Sequence, residues 1–417
     1  MKKKRSTNDL GINETAQFRQ IEKYFMTCCN HFGYKEIKTS TIEPLHIFSG
    51  LEALSQSRLR RVYSFIDWDG WSGERVALKP DSTVSVTRFF GEHLLNQVTN
   101  CRLCYVDNHF EWADSWEELS ERWQCGVENI GEKSPEIDAE VIYMAYDIIK
   151  HVMKNSVYLF LSYPRIVAQL LSIICPDEKD LLLSDIKKGS FGSVKDAFRQ
   201  EKNGDAMLSL LTMKGQSFNF IGNIRNSLQD KPFQGICDKL MYFETVCHTL
   251  TKLDIPYIID FSMIGDLEYY TDIQFQIQPV AERKSKKDIL CAGGRYDNLI
   301  KAMWDLSESI PAIGFALYTR NIIKVIPPQD SLTQNVCIQV PHISHQNMTT
   351  ARRLCYKLYE LGFTPHIRLS PLDQKAYDTF GMVIDVDHER KKDTCHIIHS
   401  QTIGNIILNN LLGDINA

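Results

Sequence analysis

Apolar residues recur at intervals of three and four near the start of the chain, at Phe18, Ile21, Phe25, Cys28 and Phe32. This spacing predicts an amphipathic helix, with Asn13 as its N-terminal cap and Gly33 at its end. A second long helix is predicted to run to Ile149, because Ser134 and Pro135 are favoured residues at a helix start. The chain therefore begins with an amphipathic helix and carries at least one more before its midpoint.

Strand-like segments lie between and after these helices. Residues 61–67, 75–79, 102–109 and 122–128 are predicted strands, and residues 271–278 alternate strictly between apolar and polar side chains. Such alternation is typical of an antiparallel strand with one solvent-facing side. Residues 158–253, in contrast, show helical periodicity throughout. The pattern predicts an α+β core formed by residues 1–155 and 254–326, interrupted by a helical insertion at residues 156–253.

The last part of the chain has a different pattern. Two adjacent prolines in residues 327–331 indicate a linker, since they cannot continue a helix. Strand, helix, strand, helix and strand patterns follow from residue 336, which predicts a small α/β domain with parallel strands at residues 335–417.

Composition excludes several classes of protein. The 417 residues include 47 Lys and Arg against 52 Asp and Glu, a net charge of -5 that makes nucleic acid an unlikely partner. Twelve cysteines are too few for a disulfide scaffold and fit a reducing cytoplasm. Neither a signal peptide nor a membrane-spanning segment is expected.

Common cofactor and metal motifs are also missing from the pattern. The stretch from Gly189 to Gly192 lacks the spacing of a phosphate-binding loop and is predicted to connect two helices. Cys101 and Cys104 lie on one predicted strand, where residues three apart face opposite sides. No second cysteine pair lies at zinc-finger spacing. We therefore expect no cofactor and no metal site.

Four segments together resemble one family, the histidyl-tRNA synthetases. They are residues 78–83 (LKPDST), 124–131 (QCGVENIG), 267–271 (LEYYT), and 292–299 (AGGRYDNL) with 312–317 (AIGFAL). Their order along the chain is that of the family. The resemblance covers roughly residues 10–325 and implies a class II synthetase-like antiparallel sheet flanked by helices, with a helical insertion. Residues 335–417 are similar to a synthetase anticodon-binding domain.

The resemblance also implies an amino-acid pocket. Its histidine-binding side chains would be Asp81, Thr83, Gln124, Glu128, Tyr269 and Tyr270. The first two would meet the ammonium group of histidine and Gln124 its carboxylate side, while the last three would surround the imidazole. A carboxylate can accept a hydrogen bond from an imidazole N–H, and tyrosines offer an apolar wall with a polar tip. The alternative is that these groups are structural hydrogen-bonding residues inherited from an ancestor.

The positions that hold ATP in the synthetases depart from the family. Glu111 stands where the family has arginine, Gly265 replaces a second arginine, and Tyr318 replaces a glycine beside the adenine. Acidic residues Asp114, Glu117, Glu118 and Glu121 follow, with Arg122 as the single base, so this loop is expected to repel a triphosphate. Fixed guanidinium groups are the usual means of stabilising phosphate charge. The sequence therefore predicts no catalytic residues.

A retained histidine pocket without an ATP site is similar to the regulatory subunits of ATP phosphoribosyltransferase. This family implies a chain without chemistry of its own that activates a short catalytic subunit in the first step of histidine biosynthesis. It also implies feedback inhibition by histidine, a coupling between two sites. A hetero-oligomer with that catalytic subunit and a homodimer within it are expected.

Two other functions remain open at this point. The chain could be an enzyme, either a divergent histidyl-tRNA synthetase or another histidine-adenylating protein. It could also sense uncharged tRNA through residues 336–417, although eight basic residues there are balanced by eight acidic ones. Phosphate binding requires a basic surplus, which disfavours the second alternative.

Overall fold

The computed structural model divides into two compact units, Met1–Ile326 and Pro327–Ala417. It describes residues 9–50, 54, 56–68, 73–112, 121–153, 156–199, 201, 204–215, 219–228, 230–264, 270, 272–280, 289–326, 335–360, 363–369, 372, 377, 380–387 and 395–400. The predicted linker at residues 327–331 lies outside these ranges. Among the described residues, no helix has the length and apolar character needed to cross a membrane.

In its described residues, the first unit contains two sheets. Its strands are β1 (Lys35–Glu36), β2 (Ile42–Pro44), β3 (Ser64–Trp68), β4 (Gly73–Leu78), β5 (Cys101–Phe110), β6 (Glu121–Ile130), β7 (Val157–Ser162), β8 (Ile258–Ile259), β9 (Gln274–Pro279), β10 (Cys291–Arg295) and β11 (Ala312–Tyr318). The large sheet has the order β1-β5-β6-β11-β10-β9-β7-β8, and β2-β4-β3 form the small one. All neighbours from β5 to β7 are antiparallel, whereas β1 and β8 add as parallel edges.

Thirteen α-helices lie in the described residues of this unit. They are α1 (Ile12–His31), α2 (His46–Ser49), α3 (Gln56–Leu59), α4 (Ser82–His93), α5 (Pro135–Met153), α6 (Pro164–Ile174), α7 (Lys179–Lys187), α8 (Gly192–Phe198), α9 (Gly204–Thr212), α10 (Asn219–Ser227), α11 (Gln234–Lys252), α12 (Asp297–Trp304) and α13 (Thr319–Val325). Several of them, such as α1 and α5, pack against the large sheet. The resulting antiparallel sheet flanked by helices confirms the predicted fold class. Gly189 lies between α7 and α8, as predicted, and Gly192 is the first residue of α8.

The two faces of the large sheet have different environments, because successive residues of a strand point to opposite sides. Cys104, Val106, Cys125 and Val127 face the main core, which also contains buried residues of α1, α5 and α11. Leu103 and Tyr105, at the alternate positions of β5, belong to a second apolar cluster formed with Val84 and Phe90 of α4. The second face carries the candidate site.

Local signals explain where the two long helices begin and end. Ser134 accepts a hydrogen bond at 3.2 Å from the backbone N–H of Ile137, as expected for the cap of α5. At α1 the prediction of Asn13 as cap was wrong. The helix starts at Ile12, and the carboxylate of Glu14 accepts a hydrogen bond from the backbone N–H of Gly11 at 2.8 Å.

Two strand predictions also need correction. Residues 157–162 form β7 inside the large sheet, so the helical assignment of residues 158–253 was wrong at its start. This strand is buried at all but one position and therefore lacks the two-residue alternation that marks a half-exposed strand. The polar side of β9 is less exposed than expected. Gln274 is buried, and Gln276 and Gln278 are half-buried, whereas Phe275 and Ile277 are buried as the alternation predicts.

The second unit is a small α/β fold. It contains β12 (Asn335–Gln339), α14 (His345–Glu360), β13 (Thr364–Arg368), β14 (Met382–Val386) and β15 (Cys395–Ser400). The sheet order is β13-β12-β14-β15, with the first three strands parallel and β15 antiparallel. Its core joins the buried residues of β12 and β14 to Leu354 and Leu358 of α14. The second helix predicted in this unit, at residues 372–380, lies mostly outside the described residues.

Candidate functional site

A buried carboxyl group lies at the centre of the second face of the large sheet. Glu128, on β6, is only 1% exposed. Its Oε1 accepts a hydrogen bond from the hydroxyl of Thr83 at 2.8 Å, and its Oε2 accepts one from the hydroxyl of Tyr296 at 2.6 Å. The hydroxyl of Tyr105 lies 3.5 Å from Oε1. Three hydroxyls from three segments of the chain thus fix the orientation of this carboxyl group.

Glycines on the neighbouring strands leave the space that these groups occupy. Gly314 of β11 is paired with Glu128 in the sheet, and a Cβ atom there would lie 1.9 Å from Oε2 of the carboxyl group. Gly126 is paired with Tyr105, and a Cβ atom there would lie 2.3 Å from the phenol ring. The polar cluster therefore depends on two positions without side chains.

The protonation of Glu128 is altered by its environment. Burial raises its pKa to about 8, even though the hydrogen bonds from Tyr296 and Thr83 act to lower it. Without a ligand the group is therefore mainly neutral at pH 7. A bound N–H donor, and a cationic one above all, would favour the charged carboxylate. The carboxyl group of Glu128 can therefore become charged when an imidazole ring binds.

Three other predicted pocket residues lie around this centre. Asp81 caps α4, with Oδ1 accepting a hydrogen bond from the backbone N–H of Val84 at 3.1 Å. Gln124 is 9% exposed and points to the same side of β6 as Glu128, four residues away. The ring of Tyr270 packs over Gly294 of β10, where a Cβ atom would lie 2.8 Å from it.

Five of the six predicted residues can thus be placed. Thr83 and Glu128 are in direct contact, and the pKa of Tyr270 is raised well above its ordinary value by burial, with Glu128 and Asp81 adding to the effect. Tyr269 lies outside the described residues. The motif analysis gave no role to Tyr105 or Tyr296, although both contact Glu128. A signal for Tyr105 was available, because it lies at an alternate position of β5 from which it faces the site.

The predicted ATP side differs from its sequence-based description. Glu111 is only 6% exposed, and its Oε1 accepts a hydrogen bond from Nε of Arg58 at 2.9 Å. Its Oε2 lies 3.6 Å from Nη1 of Arg122. Burial acts to raise the pKa of Glu111, but the two arginines outweigh burial and hold it below the ordinary value. Glu111 therefore faces two arginines, of which the sequence pattern connected only Arg122 with it, while the repulsion of a triphosphate by the loop stays a prediction. Asp114, Glu117, Glu118 and Gly265 lie outside the described residues.

A buried histidine adjoins this arginine pair. His109 is 3% exposed and is paired with Arg122 across β5 and β6. Within the described part of the chain its Nδ1 has no hydrogen-bond partner. Burial and the charge of Arg122 lower its pKa to about 3, so the ring is neutral at physiological pH. Sequence analysis missed both His109 and Arg58, since no spacing rule connects them with Glu111.

Tyr318, the last residue of β11, adjoins the predicted pocket. It is paired with Gln124 in the sheet, and burial raises its pKa to about 12 while the charge of Arg58 acts to lower it. Arg320, two residues further, is held by the N-terminal helix, with Nη1 3.5 Å from the carboxylate of Glu14. The structure thus places the phenol of Tyr318 beside Gln124, at the position where the sequence predicts that a tyrosine replaces a glycine.

Known proteins of similar sequence include proteins with two kinds of name. A protein from Dehalococcoides mccartyi named ATP phosphoribosyltransferase regulatory subunit is 30% identical over 402 residues, which is 95% of this chain and 94% of that protein. A histidine–tRNA ligase from Caldicellulosiruptor saccharolyticus is 28% identical over 348 residues, 81% of this chain and 77% of the ligase.

Solved structures and a family model agree with this fold. A Bacillus halodurans structure titled as an ATP phosphoribosyltransferase regulatory subunit/histidyl-tRNA synthetase matches 93% of this chain and 97% of its own, with a TM-score of 0.71 and 19% identity. The protein-family model described as "Histidyl-tRNA synthetase" matches residues 6–322. The chain therefore belongs to the histidyl-tRNA-synthetase-like family of ATP phosphoribosyltransferase regulatory subunits.

Proposed function

We propose that this chain is a regulatory subunit of ATP phosphoribosyltransferase that binds histidine and performs no chemistry itself. It would activate a short catalytic subunit and carry feedback inhibition by histidine to it. The observation that carries the proposal is the contrast within one site. The hydroxyls of Thr83 and Tyr296 donate hydrogen bonds to Glu128 in a pocket suited to an imidazole. In the predicted ATP region, by contrast, Glu111 is paired with Arg58 and Arg122.

The pocket suits a small polar ligand with an N–H donor. A buried carboxyl group that is surrounded by tyrosines offers a strong acceptor in apolar walls, which is how such ligands are selected. The pKa of Glu128, about 8, allows the group to become charged when a cationic partner arrives. The pocket residues Asp81, Thr83, Gln124, Glu128, Tyr269 and Tyr270 are proposed as the histidine site on this basis.

The proposed regulatory role requires coupling between this pocket and a catalytic partner. A ligand changes a distant activity only through its different affinity for two states, commonly by about 1 to 3 kcal/mol. We propose a hetero-oligomer with the short catalytic subunit, in which this chain forms a homodimer. The name of the Dehalococcoides relative supports the partner.

An enzymatic role is the second candidate, favoured by the ligases among the relatives. A histidine-adenylating enzyme would incorporate labelled inorganic pyrophosphate into ATP in the presence of histidine. The proposed regulatory function predicts no such exchange, because Arg58 and Arg122 are already paired with Glu111. Exchange above the background of a Glu128→Ala variant would favour the enzyme.

Reconstitution tests the regulatory proposal. The rate of phosphoribosyl-ATP formation by the short catalytic subunit of the same organism is measured with and without this chain, over a range of histidine concentrations. We expect this chain to raise the rate and histidine to suppress the increase. A rate that is the same with and without the chain would contradict the proposal.

A further inference from the structure

We infer that a cavity beside α11, at the starts of α5 and α6, is a binding site for a small oxyanion, either a phosphate or a carboxylate. The side chains that line it include Lys133, Tyr163, Arg165, Asp238, Lys239 and Asp272. Three of these six are basic and two are acidic. This inference goes beyond the proposed function and depends neither on histidine binding nor on a catalytic partner.

The cavity lies at the end of the large sheet away from the predicted ATP region. Arg122, which is paired with Glu111 in that region, is the second residue of β6, and the strand runs on from there to Ile130. An antiparallel strand of this length spans about 26 Å. Lys133 follows the end of β6 and lines the cavity. The cavity is therefore distinct from the predicted ATP region.

Two partly exposed cations contact a buried carboxylate in this cavity. The side chain of Asp272 is 6% exposed, with Oδ2 3.3 Å from Nζ of Lys133 and Oδ1 3.3 Å from Nη1 of Arg165, and each of the two cations is 44% exposed. A guanidinium group carries five N–H donors in a fixed planar fork. Among the described residues, Nε and Nη2 of Arg165 have no partner. Donors that suit an oxyanion therefore remain available in the cavity wall.

Lys239 gives a second, independent indication of an anion site. Its Nζ donates a hydrogen bond at 3.0 Å to the backbone oxygen of Gly235, one turn earlier in α11, and it forms no ion pair with a carboxylate in the described part of the chain. Burial lowers the pKa of Lys239, and the nearby charges of Arg165 and Lys133 lower it further, although two carboxylates oppose this effect. An anion bound between Lys239 and Arg165 would offset the repulsion between these like charges.

The other lining groups and the size of the cavity favour a compact ligand. The cavity has a volume of about 320 Å³, near the lower end of the range for ligand pockets. Burial raises the pKa of Tyr163, so its phenol stays neutral and adds no negative charge. Asp238 accepts a hydrogen bond from the side-chain amide of Gln234 at 3.2 Å. A cation or an apolar ligand would leave the ammonium and guanidinium donors unpaired, whereas a small oxyanion accepts hydrogen bonds from both.

Calorimetry of the full chain at constant ionic strength tests this inference, with inorganic phosphate and, in a separate titration, citrate as the probes. We expect the unchanged protein to bind at least one of the two anions. Lys239→Met removes the ammonium group but keeps an unbranched side chain, and we expect it to raise the Kd of the bound anion at least about tenfold. Arg165→Gln, which removes the guanidinium group, should raise this Kd to a similar extent.

A matched control lies on the same helix. Lys252 is an exposed residue in the last turn of α11 and does not line the cavity. Lys252→Met removes one positive charge from the chain, as Lys239→Met does. It therefore shows how much of any loss of binding comes from the net charge alone. We expect Lys252→Met to bind the anion with an unchanged Kd.

Weaker anion binding in Lys239→Met and Arg165→Gln, with Lys252→Met unchanged, supports the inference. A lower Kd for phosphate than for citrate indicates a ligand with a phosphate group, and the reverse order indicates a carboxylate. Failure of both anions to bind the unchanged protein would overturn the inference, and so would an unchanged Kd in Lys239→Met or an equal loss in Lys252→Met. If Lys239→Met does not fold, Arg165→Gln decides by the same criteria. None of these results depends on histidine, so failure here is distinguishable from failure of the proposed function.

Discussion

The hydroxyl of Tyr296 donates a 2.6 Å hydrogen bond to Oε2 of Glu128, and each residue is only 1% exposed. The two residues are 168 positions apart in the chain. The pocket centre is therefore a product of sheet assembly, since β6 supplies the carboxyl group and the end of β10 supplies the donor. Changes at this contact should affect ligand binding and pH dependence together.

Removal of the carboxyl group should weaken histidine binding. We expect Glu128→Ala to raise the Kd for histidine by about ten- to a hundredfold, because hydrogen bonds to charged groups contribute about 1.5 to 3 kcal/mol. Thr83→Val, which removes one donor to the same carboxyl group, should have a smaller effect. Calorimetry measures both, and assembly with a partner should be retained. Unchanged affinity in Glu128→Ala would place the histidine site elsewhere.

The raised pKa of Glu128 predicts how stability depends on pH. The folded protein keeps this proton up to about pH 8, whereas the unfolded chain loses it near the ordinary value of 4.5. The contribution of Glu128 to stability therefore falls as pH rises from about 5 to 8. Urea unfolding measures this contribution. The free energy of unfolding of the unchanged protein, minus that of Glu128→Gln, should fall over this pH range. A constant difference would show that the pKa is not raised.

Gly314 should tolerate no side chain. A Cβ atom would lie 1.9 Å from Oε2 of Glu128 and 2.3 Å from the backbone oxygen of Val127, and the latter cannot move aside. We expect Gly314→Ala to lower the free energy of unfolding by about 1 to 3 kcal/mol and to prevent histidine binding. Gly192, where a Cβ atom would meet nothing within 4 Å, supplies the control variant Gly192→Ala. Equal stability of the two variants would contradict this packing.

A buried ion pair beneath the site should contribute strongly to stability. Arg295 is fully buried, and its Nε donates to Oδ1 of Asp138 at 3.1 Å. Arg295→Met leaves that carboxylate without its main partner, and we expect a loss of about 3 to 5 kcal/mol in chemical unfolding. Arg199 pairs with Asp196 on the surface, so Arg199→Met should change stability by less than about 0.5 kcal/mol. Similar losses would refute the structural role of Arg295.

Much of the fold could be predicted because local signals agree with tertiary structure. Ser134 and Pro135 mark the start of α5 in the sequence and also in the structure. β7 could not be distinguished from a helix, because a strand buried on both faces has no alternating pattern. The pairing of Arg58 with Glu111 could not be predicted from the sequence, for another reason. The two residues are 53 positions apart, and only the folded sheet brings them together.

The most direct test of the central claim combines reconstitution with one pocket variant. Phosphoribosyl-ATP formation by the catalytic subunit is measured over a histidine titration with the unchanged chain and with the Glu128→Ala variant. We predict that both chains raise the rate equally and that the variant requires at least about tenfold more histidine for half-inhibition. Identical histidine inhibition with the two chains would contradict the account.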